Sequence, residues 1–259
     1  MPASYIAVQQ SFPKKSPWSV NRAIRIPTGV EGLDEMLGGG FPKGRVVLVC
    51  GEPGTGKTVF SLQFLTSATE RGTHGIYVAL GEPKNLVIEN TESFAWNINE
   101  KEKKGSLSLF NSGDFPWLHL SYERSRSEED AIKRTFNKIT DSAKVIDAKI
   151  LVIDSLTSMT INEPSASAKR HMISKLFDNL RNEGYTTILT SEATSENECY
   201  IEEILADGVI RLNKVQQNST LVRTITIEKM RSVEHDEQPR RYVIDKKGFT
   251  VFSGESIKM

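Results

Sequence analysis

Gly51-Glu52-Pro53-Gly54-Thr55-Gly56-Lys57-Thr58 matches a phosphate-binding loop at every fixed position: glycine, four residues, glycine, lysine, then serine or threonine. Each position has physical work to do. Gly51, Gly54 and Gly56 are expected to take positive φ angles and bring the backbone close to an anion. The backbone N–H groups, between Glu52 and Thr55 and at the start of the next helix, then cradle the phosphates. Lys57 supplies an ammonium to the β- and γ-phosphates, and Thr58 a hydroxyl to Mg²⁺. This chemistry calls for a nucleoside triphosphate such as ATP, with Mg²⁺.

A second signal is Ile150-Leu-Val-Ile153 followed by Asp154. Four apolar residues and then an aspartate put a carboxylate at the end of a buried strand, where ligands of open parallel sheets sit. Asp154 either supports Mg²⁺ from its second sphere or caps the segment Ser155–Ser158; the phosphate loop upstream favours the metal role. Glu82, after Ala79-Leu80-Gly81, offers a carboxylate that orients water, or simply an acid at a helix start before Pro83. Lys229 and Arg231 alternate, so both project to one side of a strand, with His235 nearby. Spacing alone reads that pair as a solvated basic edge.

The elements that must hold these residues follow from periodicity. Arg45–Cys50 is a short β-branched run between glycines and predicts a buried parallel strand. Val59–Arg71 carries Phe60, Phe64, Leu65 and Ala68 at helical spacing, with Gly72 to stop it. Further strands are predicted at 75–80, 107–110, 149–154 and 186–190, and helices at 83–96, 127–143 and 166–181, with a short helix at 30–37. Segments 209–212 and 221–230 read as later antiparallel strands, and 241–245 with 249–252 as a closing hairpin. The pattern predicts an α/β fold: a mostly parallel twisted sheet, helices on both faces, and C-terminal antiparallel strands. Residues 1–21, with three prolines, predict a flexible tail ahead of one domain over 22–259.

Lys plus Arg and Asp plus Glu both number 33, so formal net charge is zero, which disfavours a nucleic-acid coat. No apolar run approaches the roughly 18 residues of a membrane span. Two cysteines, Cys50 in a strand and Cys199 in a polar stretch, fit unpaired thiols in a reducing cytoplasm. The four histidines show no zinc spacing.

Taken together, several stretches resemble a single KaiC-type ATPase domain of the RecA-like branch of phosphate-loop proteins. They are Thr28–Asp34, Gly39–Gly44, the phosphate loop, Tyr77–Leu80, Ser93–Trp96, Val152–Ser158, Ala206–Leu212, and Lys229-Met-Arg231 with His235. The resemblance covers about Thr28 to Phe252. It implies a homo-oligomer, a hexameric ring with ATP between subunits. In such a ring Lys229 and Arg231 reach the neighbour's γ-phosphate and His235 lies near that nucleotide, stabilising charge in trans. This reverses the solvated-edge reading. One departure stands out: Gly81 occupies the first of two positions where the family usually has paired glutamates, and Glu82 the second. Strand alternation makes the two point opposite ways, so hydrolysis is expected to be slow if the missing carboxylate aligns water. Thr194-Ser195 lacks surroundings that match an autophosphorylated pair.

Three functions are therefore open. One is a Mg²⁺-dependent ATPase acting as a slow switch for a regulatory protein partner. Another is a nucleotide-binding scaffold that barely hydrolyses ATP. The third is a RecA- or RadA-like DNA-binding protein, against which stands the acidic run Ser191–Cys199 where a basic loop would be needed.

Overall fold

Side chains of the strand run that ends in the phosphate loop alternate strictly. Val47 and Val49 pack into one apolar cluster, and Val46, Leu48 and Cys50 into another on the opposite face. The sheet is thus buried on both sides, and its strands are apolar throughout rather than alternating with polar residues. The computed structural model describes residues 24–115, 128–160, 165–192, 201–217 and 219–256. The expected tail, Cys199 and Thr194-Ser195 lie outside these residues.

In chain order the elements are β1 (Arg25–Ile26), α1 (Leu33–Met36), β2 (Phe41–Pro42), β3 (Val46–Gly51), α2 (Lys57–Glu70), β4 (Gly75–Ala79), α3 (Lys84–Thr91), α4 (Ile98–Lys103), β5 (Leu107–Asn111), α5 (Glu128–Ile146), β6 (Ile150–Asp154), α6 (Leu156–Thr160), α7 (Ala166–Glu183), β7 (Thr186–Glu192), α8 (Ile201–Leu205), β8 (Gly208–Gln217), β9 (Thr220–Met230), β10 (Arg240–Asp245) and β11 (Gly248–Ser256). Among the described residues the main sheet runs β11-β10-β9-β8-β3-β7-β6-β4-β5. The six strands from β8 to β5 are parallel, and β9, β10 and β11 continue the sheet antiparallel. This is the α/β arrangement that the alternating pattern predicts.

Helix α2 is buried around most of its surface. Phe60, Phe64, Leu65 and Ala68 pack inward as predicted, but Ser61, Gln63, Thr66 and Thr69 are buried too. Thr66 and Thr69 turn their hydroxyls back onto carbonyls of the same helix, and Gln63 faces β11. Gln63 ties the two together: its amide donates to the carbonyls of Gly29 and Phe249 at 2.9 and 3.0 Å, and its oxygen accepts from Phe249 N–H at 2.5 Å. On the other face, α5 and α7 pack through Phe136, Ile139, Ile173, Leu176, Phe177 and Leu180.

Several boundaries differ from expectation. The helix expected at 30–37 is one turn, because Gly32 adopts a left-handed conformation just before it. The helix expected at 83–96 ends at Thr91 in a short 3₁₀ turn, with Ala95 and Asn97 at positive φ. Three short helices, α4, α6 and α8, are too brief to show periodicity.

Candidate functional site

The carboxyl ends of the parallel strands bring the predicted chemistry to one edge. β3 runs into the loop, and α2 begins at Lys57 with Gly56 before it at φ 99°. Gly54 has φ 75°. Gly51 departs from expectation: its φ is not positive, and its need is steric, since a Cβ there would lie 2.4 Å from the Leu212 carbonyl oxygen.

The carbonyls of the loop are engaged. Lys57 donates to Gly51 and Glu52 at 2.7 and 3.1 Å, and the Thr55 hydroxyl donates to Glu52 at 2.8 Å. Lys214 of β8 donates to Pro53 at 3.1 Å, and the Tyr242 hydroxyl of β10 donates to Thr55 at 2.5 Å. Those contacts hold the loop's carbonyls to the protein, and of the loop's N–H groups Thr55 donates to Glu52 at 3.3 Å while Pro53 has none; the N–H groups of Glu52, Gly54 and Gly56 and of the first turn of α2 would serve an anion. Tyr242 is itself fixed by stacking on Phe249, with centroids 4.2 Å apart and planes 14° apart.

Thr58 and Asp154, from α2 and β6, meet directly: the Thr58 hydroxyl donates to Asp154 Oδ2 at 2.6 Å. Two more hydroxyls fix the carboxylate, Tyr77 of β4 on Oδ2 at 2.6 Å and Thr190 of β7 on Oδ1 at 2.5 Å. With its proton directed at Asp154, the Thr58 oxygen is left with lone pairs for a cation. This donor set suits Mg²⁺, a hard cation that takes few protein oxygens and keeps its waters. Asp154 does not cap α6; the Ser155 hydroxyl does that, accepting from Ser158 N–H at 3.2 Å.

Lys57 has its pKa lowered, first by burial, against which the carboxylates of Glu192 and Asp154 act. Glu82 has its pKa raised by burial and then by the charge of Asp154, and accepts from Asn90 at 3.2 Å. β4 ends at Ala79, so Gly81 and Glu82 stand in the turn after it and the alternation argument does not apply to them. Gly81 does not need to be glycine for its φ, and a Cβ there would meet the Ser158 hydroxyl at 3.2 Å.

Lys229 and Arg231 do share one side. Lys229 donates to the carbonyls of Glu203 and Ile204 at 2.9 and 3.1 Å, and Arg231 to Ile204 at 3.3 Å. They stand far from this chain's own loop. Gly208 pairs with both Met230 and Val47, four residues before Gly51. At roughly 3.3 Å per residue that is about 13 Å of strand. His235 lines a separate cavity of about 660 Å³ with Arg25, Glu35, Met36, Gly38, Glu234 and Asp236, which shares no residue with the phosphate loop. Its Nδ1 faces the Val233 carbonyl at 3.0 Å, while its shielded Nε2 has no hydrogen-bond partner among the described residues.

Sequence reasoning missed Tyr77, Thr190, Lys214 and Tyr242, which carry no local signal. It also took Glu82 as the only carboxylate at a strand edge. Glu192 ends β7 and pairs in register with Gly51. The argument that found Asp154, a carboxylate after an apolar run, does not reach it, because only Ile188 and Leu189 of Thr186–Ser191 are apolar. Cys50 is buried, and burial pushes its thiol up to about 12, in keeping with a small apolar residue. No helix among the described residues is long and apolar enough to cross a membrane.

Comparison with known proteins agrees with this geometry. A family model described as "ATPase: KaiC" matches residues 26–256. A UPF0273 protein of Thermotoga maritima is 32% identical over 238 residues, covering 89% of this chain and 97% of that protein. Circadian clock protein KaiC2 of Synechocystis is 29% identical over 231 residues, covering 88% of this chain but 40% of that protein. The crystal structure of a KaiC-like protein from Pyrococcus horikoshii superposes with a TM-score of 0.77 at 33% identity, covering 89% of this chain and 99% of that one. With a family model over residues 26–256 and a phosphate loop whose threonine meets the strand-end aspartate, the chain belongs to the KaiC family of ATPases.

Proposed function

We propose that this chain binds and slowly hydrolyses Mg-ATP, that its active sites form between subunits of a homo-oligomeric ring, most simply a hexamer, and that the ring serves a regulatory protein partner as a nucleotide-driven switch. Residues 22–259 act as one ATPase domain in this reading. The observation that carries it is the bond from Thr58 to Asp154 at the head of α2. Gly51 to Gly56 would hold the phosphates, Lys57 the β- and γ-phosphates, and Thr58 with Asp154 the metal, whose charge would offset that building on the transferring phosphoryl. Glu82, close enough to feel the Asp154 charge, would orient the attacking water.

The ring is supported by distance. Lys229 and Arg231 lie about 13 Å along β3 from the loop that shares their chain, by the strand rise used above. They suit a neighbour's γ-phosphate better than their own. Among the described residues His235 Nε2 makes no hydrogen bond and has the exposed Glu237 carboxylate 3.7 Å away.

Phosphate release from Mg-ATP, measured over a range of protein concentrations with Lys57→Ala as control, tests this reading. Turnover per subunit is expected to rise with concentration and to vanish in the control. ATP binding without release above the control would favour the second reading, a nucleotide-held scaffold. The observation behind that alternative is Gly81. Since only the Ser158 hydroxyl crowds a Cβ at this position, Gly81→Glu is expected to fold and to raise turnover several-fold. An unchanged rate would show that the missing carboxylate is not what limits hydrolysis.

A further inference from the structure

Helix α8 has five residues and is about 7.5 Å long, and it makes contacts to β7 near its start and to Lys229 and Arg231 toward its end. At its start the Glu202 carboxylate, buried at 6% exposure, accepts from the Ser191 hydroxyl at 3.2 Å. Ser191 belongs to β7, pairs in register with Cys50, and sits between Thr190, which holds Asp154, and Glu192, which pairs with Gly51. The next residue, Glu203, accepts from Arg211 at 2.9 Å, also opposite Cys50 in register. At its far end the carbonyls of Glu203 and Ile204 accept from Lys229 and Arg231, and Leu205 accepts from Arg181. Asp207 follows, 3.5 Å from Arg231 and bonded through its backbone N–H to the Val46 carbonyl. One short rod therefore touches the subunit's own nucleotide edge through a buried carboxylate and caps its C-terminal carbonyls with the two cations meant for a neighbour.

We propose that α8 is a coupling element: nucleotide on a subunit's own loop shifts β7, Glu202 passes the shift to α8, and α8 releases Lys229 and Arg231 toward the next subunit. Glu202 and Ser191 are positioning residues in this scheme and touch no substrate. The two arrangements of the element are the cations held on α8 carbonyls and the cations free. The driving change is electrostatic. Glu192 lies close enough to Lys57 for its charge to act on that ammonium. Lys57 must leave the Gly51 and Glu52 carbonyls to serve phosphate. Glu192 then faces added negative charge with its counter-ion drawn away, and the strand end that carries it is pushed from the loop. Ser191 is its immediate neighbour. On the other side burial first, and then the charge of Arg231, work against the Lys229 ammonium, while Asp207 and Glu203 favour it; Asp207 also lies 3.5 Å from Arg231, so release gives up that ion pair as well as the α8 carbonyls. The proposal rests on the nucleotide-binding reading above and adds that a subunit is ready to serve its neighbour only when its own loop is filled.

Its test needs no hydrolysis. In dilute solution, where sedimentation shows single chains, Lys229 is labelled with an amine-acetylating reagent with and without Mg-ATPγS. Its rate is read by mass spectrometry against the exposed Lys149. Wild type is expected to label Lys229 several-fold faster when nucleotide is present. Glu202→Ala is expected to abolish that response while keeping its affinity for ATPγS, and Glu202→Gln, which still accepts from Ser191, to restore it. Ser191→Ala severs the same contact from the other side and is expected to behave as Glu202→Ala, which guards against a folding defect in either variant. Equal Lys229 rates with and without bound nucleotide in wild type, or a full response in both Glu202→Ala and Ser191→Ala, would overturn the coupling and leave the ATPase reading intact. Failure of wild type to bind ATPγS would instead remove the nucleotide-binding reading, and the coupling with it.

Discussion

Asp154 and Glu82 are two carboxylates at one edge whose surroundings divide their roles. Asp154 receives three hydroxyl hydrogen bonds, from Thr58, Tyr77 and Thr190, which fix the orientation of its carboxylate. Glu82 accepts one, from Asn90, and sits in the field of Asp154. A raised pKa on Glu82 has a definite sign for catalysis. It orients and activates water only as the carboxylate, so turnover rises with pH through its pKa, and the acid limb lies above the ordinary glutamate value. Glu82→Gln is expected to lower turnover by roughly 10²-fold or more and to erase that limb. A pH–rate profile for both proteins, with ATP affinity measured alongside, decides it. An unmoved limb in the variant would assign the titration to another group.

At the scale of elements, the junction of β3 and α2 is over-determined. Gly56 combines a positive φ with a Cβ position 2.3 Å from Ile244 Cδ1 of β10. Gly184, which ends α7 at φ 72°, has a Cβ position that meets nothing within 4 Å. The two alanine substitutions therefore separate backbone strain from collision. Gly184→Ala is expected to cost about 1–2 kcal/mol, the left-handed penalty alone, and to leave ATP affinity unchanged. Gly56→Ala carries the same penalty, pushes on the strand that holds Tyr242, and is expected to abolish ATP binding. Thermal unfolding and nucleotide titration of both variants make the comparison. Equal losses in the two would mean that packing by β10 does not shape the loop. The buried polar residues of α2 belong to this scale as well. Thr66 and Thr69 are satisfied within the helix, and Gln63 satisfies both strand and loop at once.

Across the whole molecule, charge and layout favour a nucleotide-driven assembly over a nucleic-acid binder. The chain carries 33 basic and 33 acidic residues. Basic side chains near the sheet edges are already engaged: Arg211 with Glu203 and Glu228, Arg240 with Asp236, and Lys214 with the phosphate loop. Affinity for single-stranded DNA depends on free cations that displace counter-ions, and it falls steeply with salt. A gel-shift titration with a single-stranded oligonucleotide is therefore expected to show no binding at physiological salt, with or without Mg-ATP. A shift that weakens steeply with added salt would restore the recombinase-like alternative.

What the sequence determined by itself was the chemistry that depends on local order. The loop glycines, Lys57 and Thr58 are adjacent in the chain, the strand before them is written as a continuous apolar, β-branched run, and the helix after them in apolar residues at a period of 3.6. Asp154 was legible because an apolar run ending in a carboxylate says where the strand stops. The mostly parallel sheet followed from the alternation of elements, but β8, read with the antiparallel strands, runs parallel to β3 and antiparallel only to β9. Tertiary structure decided everything that depends on which distant segments meet. Thr58 meets Asp154 as the phosphate loop implied, but Tyr77 and Thr190 converge on it from two other strands, and nothing near either of them in the chain announces it. Lys214 and Tyr242 brace the loop from strands more than 150 residues away in sequence. Gly81 and Glu82 seemed to alternate on a strand because the strand's end, set by its pairing with β6, cannot be read locally. The separation of Lys229 and Arg231 from their own loop is likewise a matter of register. Alternation gives the side to which a residue points, but only the pairing of β9 with β8, and of β8 with β3, gives the edge at which it stands.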